Sequence, residues 1–332
     1  MLLQQSFKGL NDAWRYLIGI FLIFLGYFVG QMPLYGVIYY KIANNSEIGK
    51  DDLFLFEKNM DFSIFGLNKN TGFVLLLLMF VVALLSLWLV TNVIHHKEMR
   101  NFITPNRPVH YQKIMFGFLF WLVLSLILEG VSYMIWPEDY TFTWQGSSFI
   151  ILLVISVFLL PIQTSFEELF FRGYIMQGIG FFARKKWMAI LGSSILFGLV
   201  HGTNPEIDKY GYAPMMIYYV MAGIFLAVIT VLDDSLELAL GVHAATNFVG
   251  ATLFTYQGSV LQTDSLFMTQ NVKPWVMIFG FAVSAVIFII VCKKRYLWPE
   301  LVTIAEDIEP ETANVNDGEL VNVSKFLIDK DE

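Results

Sequence analysis

Three signatures with a four-residue spacing lie inside apolar stretches of the chain: Glu167-Glu168-x-x-x-Arg172, Phe197-x-x-x-His201 and His243-x-x-x-Asn247. On a helix, side chains four apart share a face. Carboxylates and imidazoles are the usual groups of general acid and base chemistry, and an imidazole beside an amide offers two donors to a developing oxyanion. A charged side chain at bilayer depth costs roughly 2.5–3.5 kcal/mol on insertion scales, so these groups need partners, and the partners within reach are one another.

The first signature follows the apolar run 149–160, which Pro161 interrupts. Proline removes a backbone donor, and Ser165-Phe166-Glu167-Glu168 then reads as a capping box, with Ser165 at the N-cap and Glu168 three residues on. This predicts a helix restart near Pro161 with both glutamates at its positive end. Glu168 and Arg172 are spaced to form a charge-assisted pair, while Glu167 points about 100° away and lacks that cation. A carboxyl group in such surroundings suits proton transfer near neutral pH. A second reading has both glutamates merely capping and pairing at a helix start. The chain has five histidines, and His95, His96 and His110 fall at loop or interface positions, which leaves His201 and His243 in apolar segments. Phe197, one turn before His201, reads as packing that orients the imidazole. Gly192, Gly198, Gly202, Gly223, Gly241 and Gly250 lie in the same region, where small residues let membrane helices approach closely.

The elements that must position these groups follow from composition. Of 332 residues, 56% are hydrophobic and only 15% charged, the balance of an integral membrane protein. Apolar runs at 16–40, 73–94, 114–136, 215–232, 236–254 and 275–291 have spanning character, and the shorter 149–164 and 187–200 raise the expected count to eight. The expected fold is an all-α polytopic helix bundle with an intramembrane polar cavity. The first run is too long for a cleavable signal and no small-residue cleavage site follows it, so it stays as the first helix. Basic residues mark the loops after alternate spans: Lys97, Arg100 and Arg107, then Arg184, Lys185 and Lys186, then Lys293, Lys294 and Arg295. By the positive-inside rule both termini are cytoplasmic, at a cell membrane, although Lys41, Lys50, Lys58 and Lys69 in the first external loop fit poorly.

Four regions are expected: helices one to three over 1–140, a core over 141–256 holding the signatures, a last span over 257–298 and a solvated, mostly disordered acidic tail over 299–332. The tail carries ten acidic residues and two lysines, net −8, against −7 for the whole chain, so the membrane body is nearly neutral. One cysteine, Cys292, excludes an intrachain disulfide and a cysteine-based metal site. Neither a phosphate loop nor a basic aromatic groove is present, so nucleic acid is not an expected partner; the bilayer and a peptide or membrane-protein substrate are.

The signatures EExxxR, FxxxH and HxxxN, in this order over about eighty residues in separate apolar segments, resemble those of the CPBP intramembrane proteases. That family includes the CAAX prenyl endopeptidases and the Abi proteins linked to bacteriocin immunity. The resemblance covers roughly 149–254. It implies a glutamic endopeptidase in which Glu167 activates water, His201 assists, and His243 and Asn247 stabilise the oxyanion, with Glu168 and Arg172 structural. No cofactor is expected. Zinc held by Glu and His is the runner-up chemistry, although the HExxH spacing is absent. Two other readings stand beside peptide hydrolysis: a catalytically silent immunity or regulatory protein, and a proton-coupled transporter using midplane acids and histidines.

Overall fold

The computed structural model describes residues 1–105 and 108–310. The chain is a polytopic helical bundle. After a short 3₁₀ turn come α1 (Ala13–Asn44), the peripheral α2 (Lys50–Asn59) and α3 (Lys69–Leu89), which a π-helical turn prolongs to Ile94. Next are α4 (Tyr111–Ile135), α5 (Ser147–Glu168) and α6 (Met176–Ala183). A π-helical segment, Leu169–Ile175, joins α5 to α6 into one rod. The rest comprises α7 (Lys186–Val200), α8 (Pro205–Tyr210), α9 (Tyr212–Asp233), α10 (Glu237–Phe248), a π-helical turn Val249–Leu253 and α11 (Pro274–Tyr296).

Among the described residues six helical segments are long and apolar enough to cross a membrane, against the eight expected. The weak run 149–164 belongs to the 37-residue rod Ser147–Ala183, at 1.5 Å per residue roughly 55 Å long. The other two are short. α7 has 15 residues, and α10 has 12 before its π turn, whereas a bilayer core needs about 20. Both nevertheless run between the same two ends of the bundle as the long helices. At one end the backbone N–H of Leu2 donates to Asp234, Lys97 to the Ser6 carbonyl, Lys113 to Asp233 and Lys186 to Glu306. The described chain ends and most of the basic residues gather there. At the other end β1 (Tyr140–Phe142), β2 (Phe254–Tyr256) and β3 (Phe267–Thr269) form a small sheet in the order β1-β3-β2. β3 is antiparallel to β1 and parallel to β2. Strands of three residues leave no period-two pattern long enough to read.

The restart expected at Pro161 does not occur. Proline is tolerated inside membrane helices when neighbouring groups satisfy the backbone it frees, and in the following turn Thr164 Oγ1 donates to the Leu160 carbonyl at 3.0 Å. Ser165 therefore lies in the interior of α5 and caps nothing. The glutamates sit at a junction between α and π helix rather than at a positive helix end.

The packing is continuous across the expected regions. One buried cluster joins Ile23 of α1, Ala83 and Leu87 of α3, Phe166 to Ile175 of the rod, Phe197 of α7 and Leu240 of α10. The outer faces carry exposed Leu17, Phe21, Phe28 and Met32, as a lipid-facing helix requires. Close approach depends on glycines: a Cβ at Gly241 would come within 2.1 Å of the Ile114 carbonyl oxygen on α4, and one at Gly223 within 3.0 Å of Ser194 on α7. Gly192 and Gly198 also meet neighbouring helices, Gly202 contacts only its own turn backbone and a Met216 sulfur, and Gly250 meets nothing within 4 Å. Cys292 is buried near the end of α11. The start of the segment expected to be free from residue 299 is docked on the bundle. Trp298 Nε1 donates to Asp233 at 3.0 Å, the N–H of Ile308 to the Arg184 carbonyl at 2.9 Å, and Lys185 pairs with Asp307. The remainder of that tail, 311–332, lies outside the described residues, as does Arg107 of the first basic loop.

Candidate active site

The two glutamates are adjacent, and their surroundings separate them. Glu168 is fully buried and accepts from Arg172 Nη1 at 2.8 Å and from the Nδ1–H of His243 at 2.6 Å, both at Oε1. Arg172 is fully buried as well. Its Nη2 reaches the Gly223 carbonyl at 3.4 Å, and its guanidinium carbon stands 4.2 Å from the centre of the Phe197 ring. Removing both charges from water is costly, and the charge-assisted bond, the second donor and the ring face offset that cost. This partner set fixes the position of the Glu168 side chain.

Glu167 has no arginine or lysine partner among the described residues. Its Oε1 accepts from Gln163 Nε2 at 2.6 Å, and its Oε2 lies 3.4 Å from His243 Nε2. His243 thus spans the pair, one ring nitrogen toward each carboxylate. The contact of Nδ1 with Glu168 holds the ring in one orientation. Asn247 Nδ2 donates to Gln163 Oε1 at 2.8 Å. The amide of Gln163 therefore bridges α5 to α10, with its N–H on Glu167 and its oxygen on Asn247.

His201 stands apart from this network. It is the first residue past α7, its Nδ1–H donates to the Phe197 carbonyl at 2.7 Å, and its ring packs on Phe197 at 4.4 Å and on Tyr219 at 4.7 Å between centroids. Its Nε2 remains free of protein partners in the described contacts. Phe197 thus meets the imidazole with both its carbonyl oxygen and its ring. The same phenyl ring also packs against Arg172, a contact the sequence did not indicate.

Glu167, His201, His243, Asn247 and Gln163 all line one cavity of about 1060 Å³ that reaches the strands at Tyr140, Phe254, Tyr256 and Thr269 and is walled for the most part by apolar and aromatic side chains. That volume accommodates a stretch of peptide. Neither Glu168 nor Arg172 lines it. Ser165, the hydroxyl nearest the glutamates in sequence, does not line it either, which argues on geometric grounds against a serine nucleophile there. Gln163 is a residue of this hydrogen-bonded network that the signatures omit. Its signal is the same four-residue spacing, Gln163-x-x-x-Glu167, running backward from the glutamate in an apolar run.

The arrangement can transfer a proton at Glu167 and bring His243 Nε2 and the Asn247 amide to a developing oxyanion. Among the described residues no group of three or more His, Cys, Asp or Glu side chains is placed to hold a metal ion.

Comparison with known proteins bears on this geometry. The family model described as type II CAAX prenyl endopeptidase Rce1-like matches residues 146–249, from the start of α5 to just past Asn247, and so takes in all three signatures. A protein of Bacillus subtilis (strain 168), with the printed name Uncharacterized protein YyaK, is 31% identical over 288 residues, covering 85% of this chain and 92% of that one. No solved structure matches. The similarity to the relative runs well beyond the matched segment into the flanking spans, and the chain belongs to the Rce1-like, CPBP family of multi-pass membrane proteins.

Proposed function

We propose that this protein is an intramembrane endopeptidase that hydrolyses a peptide bond of a membrane-associated protein or peptide with a water activated by Glu167. The observation that carries the reading is the division of labour between neighbours: Glu168 is locked by Arg172 and His243 outside the cavity lining, while Glu167 lines the cavity without a cation, beside an imidazole nitrogen. A CAAX-type protease is the activity the family supports.

Glu167 takes a proton from a water lodged between it and the scissile carbonyl, and the water oxygen forms the new C–O bond. The carbonyl electrons move onto oxygen. His243, held through Nδ1 by Glu168, faces that oxyanion with its Nε2, and Asn247 adds its amide donor once the substrate displaces it from Gln163. The C–N bond then breaks, and the amine leaves with the proton that Glu167 returns, His201 Nε2 serving as the second acid–base group near the leaving side. No covalent intermediate and no metal step enters. Gln163 holds Glu167 in place before substrate arrives. We place the protein in a cell membrane with its basic end on the cytoplasmic side, which the positive-inside rule favours.

The test compares peptides and new protein termini from cells making the wild type with those making Glu167→Gln, at matched abundance and thermal stability. Termini present only with the wild type are expected. A general base contributes about 10²–10⁴ in rate, so a purified substrate should be cleaved at least a hundredfold more slowly by the variant. Identical terminus profiles would sink the protease reading and leave a silent regulatory protein in its place.

A further inference from the structure

Beyond Glu167 the cavity lining holds three more carboxylates that the mechanism does not use, Glu206, Glu129 and Asp139. Glu206, in the short turn of helix five residues after His201, is 2% exposed and lines the cavity. Its Oε1 accepts from the N–H of Val260 at 2.8 Å and from the Tyr256 hydroxyl at 3.3 Å. Its Oε2 is buried with no partner among the described residues. Glu129, near the end of α4, lines the same cavity and accepts from the Tyr140 hydroxyl at 2.9 Å. Neither forms an ion pair in the described contacts. Asp139, also in the lining, is different because Lys273 neutralises it.

Aromatic rings fill the space around these acids. Tyr219 packs on His201 on one side and lies in the field of Glu206 on the other, and Tyr218 lies in the field of both Glu206 and Glu129. Tyr218 and Tyr219 are 5.7 Å apart between ring centres. Two uncompensated carboxylates among tyrosine faces make an environment that attracts a cation both by charge and by the rings' quadrupoles. The protein shows this chemistry once already, at the mouth of the cavity: Lys273 stands 4.5 Å over the Trp136 ring while paired with Asp139. Lys209, in the same short helix as Glu206, rests on the Tyr210 ring and forms no described pair with Glu206.

We propose that the sheet end of the cavity is a substrate subsite for an organic cation, the ammonium or guanidinium group of a Lys or Arg side chain or the free amino end of the peptide. Glu206 binds it, and Glu129 and the rings of Tyr218 and Tyr219 support it. One tyrosine ring, that of Tyr219, separates this subsite from His201, so the cation sits a few residues from the scissile bond. Burial pushes the Glu206 carboxyl above its ordinary range, and an arriving cation relieves that strain. The proposal rests on the endopeptidase reading for its ligand, but its binding chemistry can be tested without turnover.

The full-length protein carrying Glu167→Gln, in detergent micelles, is titrated with n-hexylammonium and n-hexylguanidinium, with n-hexanol as the neutral probe, and thermal unfolding is followed. Both cations should raise the Tm saturably while hexanol should not. Adding Glu206→Gln should weaken the cation response at least tenfold, and Glu206→Asp should restore most of it. Equal stabilisation by hexanol, or a cation response unchanged by Glu206→Gln, overturns the subsite. In parallel, termini released by the wild type should carry Lys or Arg at a fixed distance from the cut if a side chain is bound, or cuts should fall at a fixed distance from a free amino end. Glu206→Gln should slow those cleavages tenfold through KM with kcat kept. Termini lacking both patterns also overturn the proposal. A wild type that releases no termini at all defeats the protease reading, and the probe titration still decides the subsite.

Discussion

Glu167 and Glu168 meet opposite fates because successive residues on a helix point about 100° apart. That rotation turns one carboxylate toward the cavity and the other into the packed interface with α7, α9 and α10. The buried pair of Glu168 and Arg172 is therefore a positioning device. It holds the imidazole of His243 through Nδ1, and Phe197 holds it from below through the guanidinium. Removing one partner of a fully buried pair leaves an unpaired charge, at a cost of about 3–5 kcal/mol. Arg172→Met should accordingly lower the Tm in detergent and the amount of protein in the membrane. Adding Glu168→Gln should recover much of that stability without recovering cleavage, since His243 has lost its anion. A single Arg172→Met variant with wild-type Tm would refute this account of the pair.

At the scale of elements, the site is assembled by helix contacts that tolerate no side chain. α10 packs on α4 through Gly241 and Gly117, and His243 is only two residues beyond Gly241. A methyl at Gly241 would strike backbone atoms, the Ile114 oxygen at 2.1 Å and the Phe118 nitrogen at 2.6 Å, which cannot swing aside. Gly241→Ala should therefore cost about 1–3 kcal/mol of stability and reduce cleavage beyond that loss by shifting His243. Gly250→Ala is the control: nothing lies within 4 Å, and alanine in place of glycine in a helix should be neutral or stabilising by up to about 1 kcal/mol. Thermal melts of the two variants check both statements, and equal Tm values would show that the α4–α10 contact gives way. The π-helical segments belong to this scale too. One begins just after Glu168 and another two residues after Asn247, and such widened turns recur at functional sites.

At the scale of the molecule, the basic end is tied together by polar groups taken out of water. Lys97, 2% exposed in the loop after α3, donates to the Ser6 carbonyl and to Asn11 and binds the N-terminal segment to that loop. Burial pushes its ammonium down from an ordinary 10.5 to about 7. The folded protein then binds fewer protons than the unfolded chain between those values, so stability should rise with pH from about 7 to 10.5 and be lost as pH falls back through 7. The Tm of the wild type measured across that window should climb, and the climb should flatten in Lys97→Gln. A slope unchanged by the substitution would assign it to other groups. The N-terminal segment and 301–308 both dock at this end, so the chain after the last span is anchored rather than free at its start.

The sequence by itself determined the membrane class, the three polar signatures and the pairing of Glu168 with Arg172, because apolar length and a four-residue spacing are local properties that any helix expresses. It also carried the wrong inference that Pro161 and Ser165 begin a helix. Local propensity favours a cap there, but in an apolar medium a continuous hydrogen-bonded helix satisfies more backbone, and Thr164 supplies an extra bond in the turn after the proline. Only the tertiary structure decided which groups meet across helices: Gln163 with Asn247, His243 with both glutamates, Arg172 with Phe197, and Glu206 with Tyr256. Each of these depends on how far one helix is rotated and shifted against another. Close contacts at Gly223 and Gly241, and the absence of one at Gly250, set those rotations, and nothing in the neighbouring residues distinguishes these three glycines before the helices are packed.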